Sequence, residues 1–203
     1  MRPVLLVVSL VIAYLIGSIS FSYLITKKIK KIDIRKVGSG NAGATNTMRV
    51  LGTGPAAGVL LLDVAKGIIV VLIARWFGLS DWGVALSGLL AIVGHDFPVY
   101  FGFKGGKGVA TTIGVFFMIM PLYALIAGIA AIVVIALTRY VSVGSLLFLL
   151  LTPVLGGIMG DFSAGMLFVS FLITALSFFQ HRTNLYRLFH GKENKIGSKK
   201  MQV

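Results

Sequence analysis

Apolar residues in this chain come in long unbroken runs, unlike the alternation of a half-buried strand or the narrow stripe of a surface helix. Seven runs can be marked, at residues 3–26, 55–77, 82–101, 109–120, 121–138, 142–159 and 162–180. Most approach the roughly 20 residues that a helix needs to cross a hydrocarbon core of about 30 Å. The pattern predicts an all-α polytopic membrane protein: seven transmembrane helices in a single integral membrane domain spanning 1–203. The first run lacks a small-residue cleavage site and is followed by "KKIKK", so it reads as a retained span and not as a signal peptide. The fourth is short, because a helix rising about 1.5 Å per residue needs more than the run from 109 to 120 to cross the core.

Charge decides that doubtful boundary. If the chain turns at Met120 and Pro121, the connections alternate so that almost every cation lies on one side. Of the 19 Lys and Arg residues, only Arg2 and Arg75 fall opposite, and Lys66 lies inside a run. Merging the fourth and fifth runs would separate Arg139 and the basic tail from the other cations. The positive-inside rule then puts the N-terminus outside and the C-terminus in the cytoplasm. The cytoplasmic parts are loops 27–54, 102–108 and 139–141 and the tail 181–203.

Composition agrees with the runs: 57% of residues are hydrophobic and 12% charged, and the mean hydropathy is +0.97. A soluble domain of average usage is excluded. The net charge of +13 would suggest nucleic acid in a soluble chain. Here it reads as a basic face, ending in the lysines of "KIGSKKMQV", against anionic membrane lipids, with no nucleic-acid partner. With no cysteine and three scattered histidines, His95, His181 and His190, thiol chemistry is removed and neither a metal nor a cofactor is expected.

Two glycine motifs invite nucleotide readings that fail on context. "GSGNAGATNTMR", residues 38–49, has the dinucleotide spacing at Gly38, Gly40 and Gly43, with Asp63 following. That fingerprint needs a strand before it and a soluble βαβ unit around it, whereas Asp63 lies in an apolar helical run. "KGGKG", residues 104–108, lacks the first Walker glycine, and Lys107 is followed by Gly108 where Ser or Thr is required. What remains is a glycine turn feeding the start of a helix, whose free N–H groups favour an anion.

Four polar islands fall on the cytoplasmic side: "GSGNAGATNTMR", "GHDFPVYFGFKGGKGVATT", "RYVSVGS" and "HRTNLYR". They supply neutral donors (Ser39, Asn41, Thr45, Asn46, Ser142, Asn184) and cations (Arg49, Lys104, Lys107, Arg182, Arg187), a set suited to phosphate oxygens. Asp63 and Lys66 stand one turn apart in the second run and are expected to pair or to face a polar cavity, because a lone charge there costs about 3 kcal/mol. His95 and Asp96 read as capping or packing residues.

These islands, together with "YLIGSISFSYLI" and the tail "HRTNLYRLFHGKEN", resemble the acyl-phosphate-dependent glycerol-3-phosphate acyltransferases of bacterial membranes, the PlsY family. The resemblance covers nearly the whole chain. It implies transfer of a fatty acyl group from acyl phosphate to the 1-hydroxyl of glycerol 3-phosphate, giving lysophosphatidic acid and inorganic phosphate at the cytoplasmic face of the inner membrane. It implies a glycerol phosphate clamp of Ser39, Arg49, Lys104, Ser142, His181 and Asn184. Lys107 and the amides around Gly40 and Gly106 would hold the acyl phosphate, with Asn41, Thr45, Asn46, Gly105 and Gly108 beside them, and Glu193 would lock basic side chains in place. No His is followed five positions later by Asp, so the dyad of many other glycerolipid acyltransferases is absent. Either the phosphate of glycerol 3-phosphate takes the hydroxyl proton, the reading preferred here, or His181 does. A transporter of an organic phosphate is the alternative, but it would gather polar residues near the bilayer midplane between repeats.

Overall fold

The computed structural model describes residues 3–197. Arg2, Lys199 and Lys200, which entered the charge argument, lie outside the described residues. The described chain is all-helical: α1 (Pro3–Gly17), α2 (Phe21–Lys30), α3 (Ala44–Leu51), α4 (Thr53–Trp76), α5 (Asp81–Asp96), α6 (Val109–Ile119), α7 (Pro121–Thr138), α8 (Val141–Met159), α9 (Ala164–Gln180) and α10 (Arg182–Phe189). Five stretches are long and apolar enough to cross a membrane: Pro3–Lys30, Thr53–Trp76, Asp81–Phe101, Pro121–Thr138 and Val141–Met159. Helices α9 and α10 pass the same test only when taken together, with a bend of 58° between them at His181.

Burial is inverted relative to a soluble bundle. On α7 the buried residues are Ala124, Ala127 and Ala131, while Leu122, Ile129, Ile132 and Leu137 face outward. Large apolar side chains on the outside carry no penalty in lipid, and small ones let helices approach. One close approach joins α4 to α6. A Cβ at Gly67 would stand 2.3 Å from the Thr111 carbonyl oxygen, and one at Gly114 would stand 2.1 Å from that of Val64. The short α6 lies among α4, α5, α7 and α8, with Val115, Phe116 and Ile119 buried. Enclosed in this way, it need not match the bilayer along a lipid-facing side.

Two expectations are corrected. The first run is not one continuous helix: it breaks between Gly17 and Phe21. Carbonyls freed by such a break must find donors inside the bilayer, and the Lys66 ammonium supplies them, donating to Gly17 O at 3.0 Å and Ile19 O at 3.1 Å. The loop 27–54 is also more than a connection, since it contains α3. The expected Asp63 and Lys66 pair is present at 2.9 Å.

The polar connections gather at one end of the bundle. At the other end, Arg75 Nη2 donates to Met118 O at 2.6 Å, beside the turn into α7.

Candidate active site

The polar islands converge on Glu193, in the chain after α10. Its Oε1 accepts from Ser142 Oγ at 3.0 Å and from Asn184 Nδ2 at 2.6 Å, and its Oε2 accepts from Arg187 Nε at 2.9 Å. Ser142 opens α8, while Asn184 and Arg187 share a face of α10 at i and i+3. The bend at His181 turns α10 back over the bundle end, which brings these residues together. Lys107 Nζ, from the connection between α5 and α6, donates to Asn184 Oδ1. Four of the sequence-predicted residues, Lys107, Ser142, Asn184 and Glu193, thus form one hydrogen-bonded set.

The electrostatics of this set follow from burial and crowding of cations. Burial pushes the Glu193 carboxyl up, but bonds from Arg187, Asn184 and Ser142 outweigh it and hold the group below its ordinary value. Lys107 is brought down to about 8, by burial first and then by Arg187. Half-buried Arg49 is lowered by burial, partly offset by the attraction of Glu193. His181 is 3% exposed, and burial takes its pKa down to about 4. Its Nδ1–H donates to Ser177 O at 2.8 Å, so the neutral ring presents Nε2 as an acceptor. One carboxylate among at least three cations leaves net positive charge able to bind phosphate, beside a neutral imidazole able to accept a hydroxyl proton's hydrogen bond.

The glycine segments serve differently from the expectation. Gly40 N–H donates to Val37 O at 3.1 Å, Gly105 N–H to Asp96 O at 3.1 Å and Gly106 N–H to His95 O at 3.1 Å. These three amides are bonded within the protein, so in this conformation they are not among the donors that face a ligand. A Cβ at Gly108 would stand 3.2 Å from Asp96 Oδ1, so the Asp96 side chain lies beside the start of α6. Asn46 is buried, accepting from Ser39 N at 2.8 Å and donating to Ile34 O at 3.2 Å and Val37 O at 3.0 Å. Its amide shapes the loop, and is not free for a ligand. Ala42 N–H donates to Gly105 O at 3.3 Å, tying the two glycine segments together.

Ser39 and Lys104 are exposed, and Asn41 and Thr45 half-buried, with no side-chain bond into the Glu193 set. Of the two lysines in "KGGKG", it is Lys107 that turns inward. Arg187, counted among the cations but given no role by the sequence reading, is the principal ion-pair partner of Glu193. Its position three residues after Asn184 was the available signal. Among the described residues no group of three or more His, Asp or Glu side chains is placed to share a metal ion.

An apolar cavity of about 270 Å³ opens among α6, α7 and α8, lined by Val109, Ile113, Phe117, Ile129, Ser145 and Phe148 among others. Val109 follows Lys107 by two residues and Ser145 lies one turn from Ser142, so one end of the cavity abuts the polar set.

The family model described as "Glycerol-3-phosphate acyltransferase" matches residues 7–191. The glycerol-3-phosphate acyltransferase of Shouchella clausii is 55% identical over 199 residues, covering 96% of this chain and 97% of its own. That of Halalkalibacterium halodurans is 52% identical over 193 residues, covering 93% and 94%. The solved structure of PlsY, an integral membrane glycerol 3-phosphate acyltransferase in its glycerol 3-phosphate form, is 40% identical, with a TM-score of 0.89 over 95% of this chain and 96% of that one. Its lysophosphatidic acid form gives 0.86 at 39% identity over 95% of each.

Proposed function

We propose that this chain, which belongs to the glycerol-3-phosphate acyltransferase family, acylates the 1-hydroxyl of glycerol 3-phosphate with an acyl phosphate as donor. The observation that carries the site assignment is the convergence of Ser142, Asn184 and Arg187 on Glu193 with Lys107 bonded to Asn184. The transporter alternative gives way to the family's reaction class.

An acyl phosphate already carries a good leaving group, so no covalent enzyme nucleophile is needed and the protein's task is positioning and charge stabilisation. Arg49, Ser142, His181 and Asn184, with Ser39 and Lys104 at the exposed rim, hold the glycerol phosphate. Lys107 meets the donor phosphate. The 1-hydroxyl oxygen attacks the acyl carbon, its proton passes to the phosphate of glycerol 3-phosphate, and the carbon–oxygen bond to the donor phosphate breaks to release inorganic phosphate. Two facts favour substrate assistance over His181 as base. A phosphate monoester has a second pKa of about 6, whereas the His181 ring sits near about 4. His181 Nε2 then orients the hydroxyl without keeping its proton.

The acyl chain lies in the cavity among α6, α7 and α8, open to the bilayer that supplies it. The seven-span topology, with α6 as the short fourth span, the N-terminus outside and the Glu193 set in the cytoplasm of a bacterial inner membrane, is supported by the distribution of cations.

The test is phosphate release from palmitoyl phosphate by purified protein, with and without glycerol 3-phosphate, followed by the same assay with palmitoyl-CoA. Release that requires glycerol 3-phosphate supports the donor. Turnover with palmitoyl-CoA alone overturns it.

A further inference from the structure

A second polar cluster lies deeper than the Glu193 set, inside the bundle. Lys66 Nζ contacts four acceptors: Asp63 Oδ1 at 2.9 Å, Gly17 O at 3.0 Å, Ile19 O at 3.1 Å and His95 Nδ1 at 2.8 Å. Asp63, Lys66 and His95 are 1%, 2% and 6% exposed. An ammonium has donors and no lone pair, so in its contact with Lys66 the His95 Nδ1 must accept. With Lys66 charged the ring is neutral and its proton sits on Nε2, while Asp63 Oδ1, 3.5 Å from the same Nδ1, is held by the ammonium.

That nitrogen faces the glycine loop. A Cβ at Gly106 would stand 2.0 Å from His95 Nε2. The backbone repeats the attachment, because Gly106 N–H donates to His95 O and Gly105 N–H to Asp96 O, each at 3.1 Å. The next residue is Lys107, bonded to Asn184. A continuous path of contacts thus runs from Asp63 through Lys66 and His95 to the loop that presents Lys107.

We infer that Asp63, Lys66 and His95 are positioning residues for the reaction: the buried ion pair fixes the orientation and tautomer of the His95 ring, and the ring sets the height of the glycine loop and so the reach of Lys107. This rests on the acyltransferase reading given above, in which Lys107 meets the donor phosphate. None of the three touches substrate. The cluster pairs its charges where a lone charge is costly. Beyond satisfying the carbonyls at the break after Gly17, the ammonium aims a donor at Nδ1, which holds the ring in the tautomer with its proton on Nε2.

The experiment compares the wild-type enzyme with the double variant Asp63→Asn/Lys66→Met, which removes both members of the buried ion pair and, with them, the donor to Gly17 O and Ile19 O. Partial misfolding lowers the active fraction and hence kcat alone. Misplacement of Lys107 instead raises KM for palmitoyl phosphate by about fivefold or more, with KM for glycerol 3-phosphate changed by less than about twofold. Hydrogen exchange in the 103–108 segment is expected to quicken while exchange in α7 holds. In the wild-type protein, nitrogen NMR of His95 should show Nε2 protonated and Nδ1 bare, a measurement that needs no variant. A proton on Nδ1 overturns the inference, as do unchanged KM values together with unchanged exchange in a folded double variant. A rise in KM for glycerol 3-phosphate instead keeps the positioning role and reassigns Lys107. Wild-type protein silent with palmitoyl phosphate overturns the donor, while ring and exchange measurements still decide the positioning role.

Discussion

Asn184 donates from Nδ2 to Glu193 Oε1 at 2.6 Å, and this bond leaves its Oδ1 turned toward Lys107. One amide therefore sets the distance between a carboxylate and a cation that would otherwise collapse onto each other. Removing the carboxylate releases Ser142, Asn184 and Arg187 together. Glu193→Ala is expected to lower kcat/KM by at least about tenfold, since bonds to a charged partner contribute about 1.5–3 kcal/mol each. Steady-state kinetics on folded variant checks this, and unchanged turnover would remove Glu193 from the site.

Burial, and then the Arg187 charge, push Lys107 down to about 8 from its ordinary 10.5. Its charge is present below that pH and is lost above it. The kcat/KM for acyl phosphate, which reports the free enzyme, should fall as pH rises through about 8. Lys107→Arg, charged throughout, should move the fall to higher pH, and a profile identical to wild type would contradict the assignment.

On the acid side the sign is opposite. A His181 ring with a pKa of about 4 stays neutral across the working range. The acid limb should then follow the substrate phosphate, near about 6. Replacing glycerol 3-phosphate by a phosphonate analogue of higher pKa should shift that limb upward. A limb that ignores the analogue and vanishes in His181→Asn would make His181 the base.

Gly106 and Gly54 make a matched pair for the loop. A Cβ at Gly106 would stand 2.0 Å from His95 Nε2 and 3.0 Å from Ala42 O, whereas one at Gly54 meets nothing within 4 Å. Gly106→Ala should destabilise by about 1–3 kcal/mol and weaken donor binding. Gly54→Ala should leave melting temperature and turnover close to wild type. Equal effects in a thermal-shift assay would sink the close-approach argument.

Gly128 lines the apolar cavity, and a Cβ there meets nothing within 4 Å. Gly128→Leu should therefore fold and fill the cavity. KM for palmitoyl phosphate should rise by about threefold or more, and KM for octanoyl phosphate much less, if the acyl chain lies there. Equal effects on both donors would place the chain elsewhere.

The membrane character was legible because the bilayer imposes a run length that the order of apolar residues shows directly. The pairing of Asp63 with Lys66 was legible for a similar reason, as a lone charge at that depth has no cheap alternative. The break after Gly17 was hidden, since its stabilising donor, Lys66, stands 49 residues later in sequence. The bonded amides of Gly105 and Gly106 were hidden too, because glycine spacing reports backbone freedom and not where each N–H points. Lys104 and Lys107 flank the same two glycines, and only the fold of the loop onto α5 determines which turns inward.

The break between α1 and α2 bears on how the protein is made. Its Gly17 and Ile19 carbonyls need the Lys66 ammonium, yet the ribosome delivers that residue only after the intervening loop and the first half of α4. The first helix pair therefore gains its full set of hydrogen bonds only once the second span stands beside it.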